Sequence, residues 1–379
     1  MDKKNTSLVG RIASSEAVLS VAASLICIVL GLALGVVVLA IINAQHALGD
    51  GLLVILQSGI KSPRNMGTVL ANAAPLIMTG LSVGFAFKTG LFNIGAAGQF
   101  TLGAFGALYC AIVLQLPWYV CLLAAMLLGA LWGAIPGLFK AYLNINEVIT
   151  AIMTNWIGLY MVNDIMYGKG KSPMYDLATT KTCSLRKYAP QAMIPSCGMS
   201  NLFGKLQSVT IAIFIAIFFA IVIYIILNKT TFGYELKACG FNKNAAQYAG
   251  ISDKRNIVLS MMIAGALAGV GAGLYYLSTV AEWNPQVSTA LPALGFNGIS
   301  AALLACSNPI GTIFSSLFIS YITVGGTKLS TQYYTKEIAD VITALIIYLC
   351  AFSLLFRNKI RALLVGKARR VNVGKGGND

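Results

Sequence analysis

Stretches of about 20 apolar residues recur along the whole chain, almost free of charge inside and separated by short polar turns. This is the pattern of bilayer-crossing helices, not of half-buried strands or surface helices. The runs fall at 18–43, 66–87, 91–116, 118–139, 148–165, 208–227, 257–280 and 338–356, with two shorter ones at 289–305 and 309–325. The short pair contains Pro292, Gly295, Asn297, Gly298 and Pro309, and reads either as two full spans or as two broken, re-entrant helices. Together the runs predict an all-α polytopic membrane protein of about ten transmembrane helices, one domain over 1–379 with 66–356 as its core. Residues 66–165 and 257–356 have matching layouts that start from opposite sides, as an inverted repeat would, although in sequence they share little beyond Phe92-Asn93 and Phe296-Asn297.

Within this pattern the run from Gly90 carries the most unusual composition. Gly95, Gly98, Gly103 and Gly106 leave most of one side bare, which suits close helix approach in a bilayer. Asn93, Gln99 and Thr101 lie in the same stretch and must find partners or line a wet cavity. The expectation is a continuous glycine-rich span around which the other spans pack. Pro75 is expected to bend the span before it.

Composition changes the picture mainly through charge. The 379 residues are 57% hydrophobic and only 10% charged, which leaves little sequence for a soluble domain. A net charge of +15 in a soluble protein would point to nucleic acid; here it is read loop by loop, because Lys and Arg are retained on the cytosolic side. That rule places 1–17 and the basic tail 357–379 (Arg357, Lys359, Arg361, Lys367, Arg369, Arg370, Lys375) in the cytosol, and 166–207 outside, in the plasma membrane of a cell. The 166–207 loop is itself basic, against the simple rule, which weakens for longer loops. Eight cysteines form no C-x-x-C pair; Cys183 and Cys197 share the outer loop, where a disulfide is one reading. A single histidine, His46, builds no metal site alone.

Several function classes are excluded by what the runs lack. The acidic residues nearest the spans (Glu147, Asp164, Glu282, Glu337, Asp340) sit at span ends, so an ion-driven transporter acting alone lacks ionisable groups at depth. No T-V-G-Y-G-like filter is present. Gly325-Gly326-Thr327-Lys328 lacks the spacing of a phosphate loop, so the chain is not read as an enzyme and no cofactor is expected. Energy for active transport must then enter through another polypeptide. The cytosolic loop 228–256 offers a place: small residues alternate with Glu235, Lys237, Lys243 and Gln247, predicting two short helices hinged at Gly240, Asn242 and Asn244. Such a pair reads either as a docking element or as an ordinary connector.

Four blocks carry a resemblance: G-L-F-N-I-G-A-A-G-Q-F at 90–100, N-E-V-I-T-A-I-M-T-N-W at 146–156, T-F-G-Y-E-L-K-A-C-G-F-N-K-N-A-A-Q-Y-A-G-I at 231–251, and F-N-G-I-S-A-A-L-L-A-C-S-N-P-I-G at 296–311. In this order they resemble the permease subunits of ATP-binding-cassette importers, of the branch for simple sugars, branched-chain amino acids and, most closely, nucleosides. The resemblance implies ten helices and two permeases around a central pathway, the second permease being a paralogue by preference or else an identical copy. It also implies cytosolic ATPase subunits and an extracellular substrate-binding lipoprotein. Residues 234–251 match the coupling loop of that family, which makes Glu235, Gly240, Asn242, Ala246 and Gly250 candidate ATPase contacts. Cys306 departs from the family pattern, which often has a polar or basic residue there.

The amides Asn72, Asn93, Gln99, Asn155 and Asn297 are the candidates for lining the pathway, since uncharged amides suit a neutral, hydroxyl-rich solute such as a nucleoside or simple sugar. The competing reading is that they only bond neighbouring helices. A facilitator working without an ATPase is the rival function.

Overall fold

The structure is a computed structural model. It describes residues 16–168, 172–284 and 290–329, with scattered positions between 333 and 362. The predicted run 338–356 falls largely outside the described residues, and 1–15 and 363–379 wholly so.

The long helices follow the apolar runs. They are α1 (Glu16–Asn43), α3 (Pro63–Lys88), α5 (Trp118–Leu143), α6 (Glu147–Tyr167), α9 (Ala212–Lys229), α12 (Asp253–Leu277) and α14 (Pro309–Gly326). Among the described residues, six helices are long and apolar enough to cross a membrane, and α6 is not one of them. The protein is therefore an all-α, multi-pass membrane protein. Burial sorts these helices. In α3, 89% of the apolar window is buried inside the protein, against 22% in α1, so α3 is wrapped by other helices while α1 turns its side chains outward.

Three expectations change. First, residues 44–65 are not a plain loop: a π-helical turn (Ala47–Leu53) runs into a short helix, α2 (Val54–Ser58). Its apolar side packs on α14, where Ile55 lies against Gly325 and the Tyr321 hydroxyl donates to the Leu56 carbonyl. Second, the run from Gly90 is not a continuous helix. Residues 90–95 are unwound, and α4 (Ala96–Ile112) begins only afterwards, at about 25 Å too short to cross the hydrocarbon upright. Third, the helix that the others surround is α12, which packs on α5, α4 and α3 in turn.

Glycine spacing makes that hub. Gly129 and Gly133 on α5 face Gly265 and Gly269 on α12, each pair four residues apart, so the two backbones touch. A Cβ on Gly265 would stand 2.2 Å from the Gly129 carbonyl oxygen, and one on Gly269 2.2 Å from that of Ala125. From the other side, Gly103 of α4 lies on Gly269, where a Cβ would meet its Cα at 2.4 Å.

Beyond α12 the chain forms α13 (Ala293–Leu304), turns through Cys306 and Ser307 at positive φ, and enters α14 behind the capping side chain of Asn308. With 12 residues, α13 is about 18 Å long, half a membrane. It runs beside α3 in the same direction, Gly298 lying on Thr79 and Ala302 near Gly84.

The segment 172–211 is a folded cap and not a free loop. It contains a two-stranded hairpin, β1 (Tyr175–Asp176) with β2 (Lys181–Thr182), and two single-turn helices, α7 (Leu185–Tyr188) and α8 (Met199–Leu202). It is stitched to the end of α12: Thr182 donates through its backbone N–H to the Trp283 carbonyl at 3.0 Å, Ile194 to that of Leu277 at 3.1 Å, and Thr210 bonds Ser278 at 2.8 Å. Met174, Leu185, Ala192 and Ile194 extend the main apolar core into the cap. Cys183 and Cys197 are not joined. Cys183 is tucked inward, where burial and then the charge of Asp176 push its thiol pKa up, while Cys197 is exposed at the surface.

Candidate functional site

Two groups of residues single themselves out, one buried and one exposed, and a single backbone contact joins them. The buried group is built around the break before α4. Helix α3 ends at Thr89, and Gly90 takes a φ of +74°. The Leu91 N–H bonds the Ala86 carbonyl at 3.0 Å and the Gly90 N–H that of Phe87 at 3.2 Å. That is a glycine-terminated helix end, and it directs the chain out of the helix towards Asn93.

Unwound backbone inside an apolar bundle needs partners, and amide side chains supply them. Asn93 and Gln99 exchange two hydrogen bonds: Asn93 Nδ2 donates to Gln99 Oε1 at 2.8 Å, and Gln99 Nε2 to Asn93 Oδ1 at 3.1 Å. Asn93 Nδ2 also donates to Ser82 Oγ on α3 at 3.0 Å. Asn155, on α6, clasps the break from the other side. Its Oδ1 accepts from the Gly98 N–H at 2.8 Å, satisfying one of the free donors in the first turn of α4, and its Nδ2 donates to the Ile94 carbonyl at 3.0 Å. Asn93, Gln99 and Asn155 are fully buried.

The other two sequence candidates are placed differently. Asn72 on α3 and Asn297 on α13 are both half-buried, and nothing brings either into the Asn93 cluster. Sequence reasoning named Asn155 but missed what it does. The signal was its position on a helix that follows an N-cap, Asn146, by an integral number of turns, with Gly98 needing a Cβ-free surface opposite it.

The exposed group is a pair of short helices, α10 (Thr231–Phe241) and α11 (Lys243–Tyr248), where a hinged pair was expected. Thr230 caps α10 by accepting from the Gly233 N–H, and Asn242 caps α11 by accepting from Ala245 at 3.0 Å. Gly250, at φ +78°, ends the pair. Between them lies an open groove of about 550 Å³ lined by Tyr234, Glu235, Ala238, Phe241, Asn242 and Ala246, among others. Tyr234, Phe241 and Tyr248 are 69%, 89% and 95% exposed. Three protruding rings on one small element mark a surface made to be covered by another protein.

The pair is fixed to the bundle at its base. Asn256 Nδ2 on α12 donates to Glu235 Oε2 at 3.4 Å, and Lys243 pairs with Asp253 at 3.1 Å. Of the five residues expected to meet a partner, Asn242 and Gly250 serve first as cap and terminator, Glu235 and Ala246 face inward, and Gly240 touches the bundle directly. A Cβ on Gly240 would stand 2.7 Å from the carbonyl carbon of Thr89 and 2.8 Å from the nitrogen of Gly90.

A broken helix held by amides and an exposed helical pair resting on it fit a transport subunit driven from outside itself. Comparison with known proteins decides the class: residues 65–351 match the family described as branched-chain amino acid transport system, permease component. The chain belongs to this family. It is similar to the nucleoside ABC transporter permease protein NupB of Lactococcus lactis, at 34% identity over 93% of this chain and 96% of that one. The guanosine ABC transporter permease protein NupP of Bacillus subtilis is 32% identical over 88% and 93% of the two chains. The glucose ABC transporter permease protein TsgB13 of Haloferax volcanii is 27% identical over 86% of each. A second nucleoside or guanosine permease from each of the two bacteria is also similar. No solved structure matches the chain. The protein is thus a membrane-spanning permease of the ABC importer type.

Proposed function

We propose that this permease carries a nucleoside into the cell, through a pathway shared with a second, paralogous permease, and that separate cytosolic ATPases supply the energy. The observation that carries the reading is the exposed aromatic pair α10–α11 seated through Gly240 on the turn that leads to Asn93. A docked ATPase would cover Tyr234, Phe241 and Tyr248 and pull on the same element. The permease catalyses no bond change, and an extracellular binding lipoprotein would deliver the solute to the cap side, 172–211. The substrate class rests on the printed names of the two relatives above 30% identity, and the glucose permease at 27% makes a simple sugar the second reading.

In this proposal the chain has ten spans with both termini in the cytosol, and its halves form an inverted repeat. Reciprocal packing supports the repeat: α4 follows α3 but packs mainly on α12, while α13 follows α12 but packs mainly on α3. The five amides divide by role. Asn72 and Asn297, half-exposed, face the pathway; Asn93, Gln99 and Asn155 hold the broken segment in shape. The test is reconstitution of the full complex in liposomes with the ATPases inside and the loaded binding protein outside. Radiolabelled nucleoside should accumulate only with ATP. Uphill movement by this chain alone on an ion gradient would overturn the proposal, and accumulation of hexose but not nucleoside would select the second reading.

A further inference from the structure

The contact between Gly240 and Gly90 joins the exposed group to the buried one with no side chain between them. Gly90 cannot carry a side chain in its role as helix terminator at φ +74°, and a Cβ there would also stand 2.6 Å from the Gly240 Cα. From Gly90 the chain reaches Asn93 in three residues, and along the way Leu91 is buried and the Phe92 ring stacks on Phe87 with centroids 5.1 Å apart. Asn93 is then bonded on both sides, to Ser82 of α3 and to Gln99 of α4. Next to it Ile94 is bonded to Asn155 of α6. A displacement of α10 therefore meets backbone at once, and the strip 90–94 has no slack side chain in which to absorb it.

We propose that Gly240 is a positioning residue for transport: docking at α10–α11 is passed through its contact with Gly90 to the Asn93–Gln99–Asn155 clamp, so that the start of α4 moves with the docked partner. The inference rests on the ATPase reading above. It separates two jobs within one small element, since the rings of Tyr234, Phe241 and Tyr248 take the partner while Gly240 passes the movement on. Asn256 and the Lys243–Asp253 pair tie the element to α12 and keep the two helices together as they are displaced.

The two jobs are distinguishable because they fail differently. Gly240 lies inside α10, where alanine suits helical backbone, so G240A alters the contact and little else. In the reconstituted complex, G240A should keep the ATPase bound and hydrolysing, while solute moved per ATP falls about tenfold, a loss of coupling with assembly intact. F92A leaves α10 untouched and loosens the strip beyond the contact, so it should reproduce the loss of coupling without any loss of docking. A structural defect would instead lower assembly, hydrolysis and uptake together. Wild-type solute-to-ATP ratios in both variants would overturn the inference while leaving the transporter reading standing. Absence of ATP-driven uptake by the unmodified complex would overturn that reading itself.

Discussion

Where α5 crosses α12, glycine lies on glycine and the contact is backbone against backbone, with no polar side chain between. Where α3 meets α13 and α14, the contact is built from hydroxyls. Ser315 of α14 donates to the Ala301 carbonyl of α13 at 2.7 Å, Ser320 donates to that of Val69 on α3 at 2.8 Å, and Thr79 turns back on the carbonyls of its own helix. The first seam works by fit and the second by directional bonds. A bilayer supplies no hydrophobic force between helices, so both must hold through packing and hydrogen bonding. The difference lies in tolerance. A glycine seam excludes every side chain and has one arrangement, whereas a hydroxyl can exchange one carbonyl for another as helices slide. The rigid seam lies at the α12 hub, and the adaptable one beside the half-length helix α13, which bears Asn297.

The harshest way to break this comparison is to put bulk into the glycine seam. G265L would drive a branched side chain into the space where even a Cβ comes within 2.2 Å of the Gly129 carbonyl oxygen. The two central helices cannot separate without losing the contacts to α3 and α4 as well, so the cost should exceed about 4 kcal/mol and leave no folded protein. The check is the yield of monodisperse protein after membrane extraction. Normal yield would mean that the seam is looser than its glycines imply.

A smaller loss is expected on the polar side. N155A leaves the Gly98 N–H and the Ile94 carbonyl without their side-chain partner in buried surroundings, each worth about 1–3 kcal/mol. Folding should survive, with a clearly lowered unfolding temperature in detergent and uptake lost because the start of α4 no longer has a fixed shape. An unchanged unfolding temperature would show that the break is held by something other than Asn155.

These two sites also differ in how far the sequence announces them. The hinge and caps of α10–α11 were legible because Thr230, Asn242 and Gly250 act locally, on backbone within three or four residues. The apolar runs fixed the long helices for the same reason. The break at 90–95 was not legible: Phe92-Asn93-Ile94-Gly95 contains no proline, and its backbone is satisfied by Asn155, more than fifty residues away in the chain. The choice of hub was missed for a related cause. Four glycines drew attention to 90–107, yet a glycine face has meaning only with the surface opposite it, and the matching four-residue spacing on α5 and α12 lies in separate runs. The disulfide reading failed because one thiol of the pair faces the core of the cap and the other faces solvent. Local chemistry thus reads directly from the chain, and partner choice between distant segments does not.

The finest test of the comparison is a single oxygen atom. Ser316 of α14 is fully buried, and among the described residues its hydroxyl has no hydrogen-bond partner, although its neighbour Ser315 is well bonded. A buried hydroxyl left unpaired costs free energy that alanine would not, so S316A should leave the fold intact and raise stability by up to about 1 kcal/mol, read as a small upward shift in unfolding temperature. Uptake discriminates between two meanings of the orphan. If transport is unchanged, the hydroxyl is a packing remnant and the seam gains nothing from it. If S316A is more stable but transports poorly, the oxygen finds its partner in another arrangement of α3, α13 and α14, and the adaptable seam is where the helices shift.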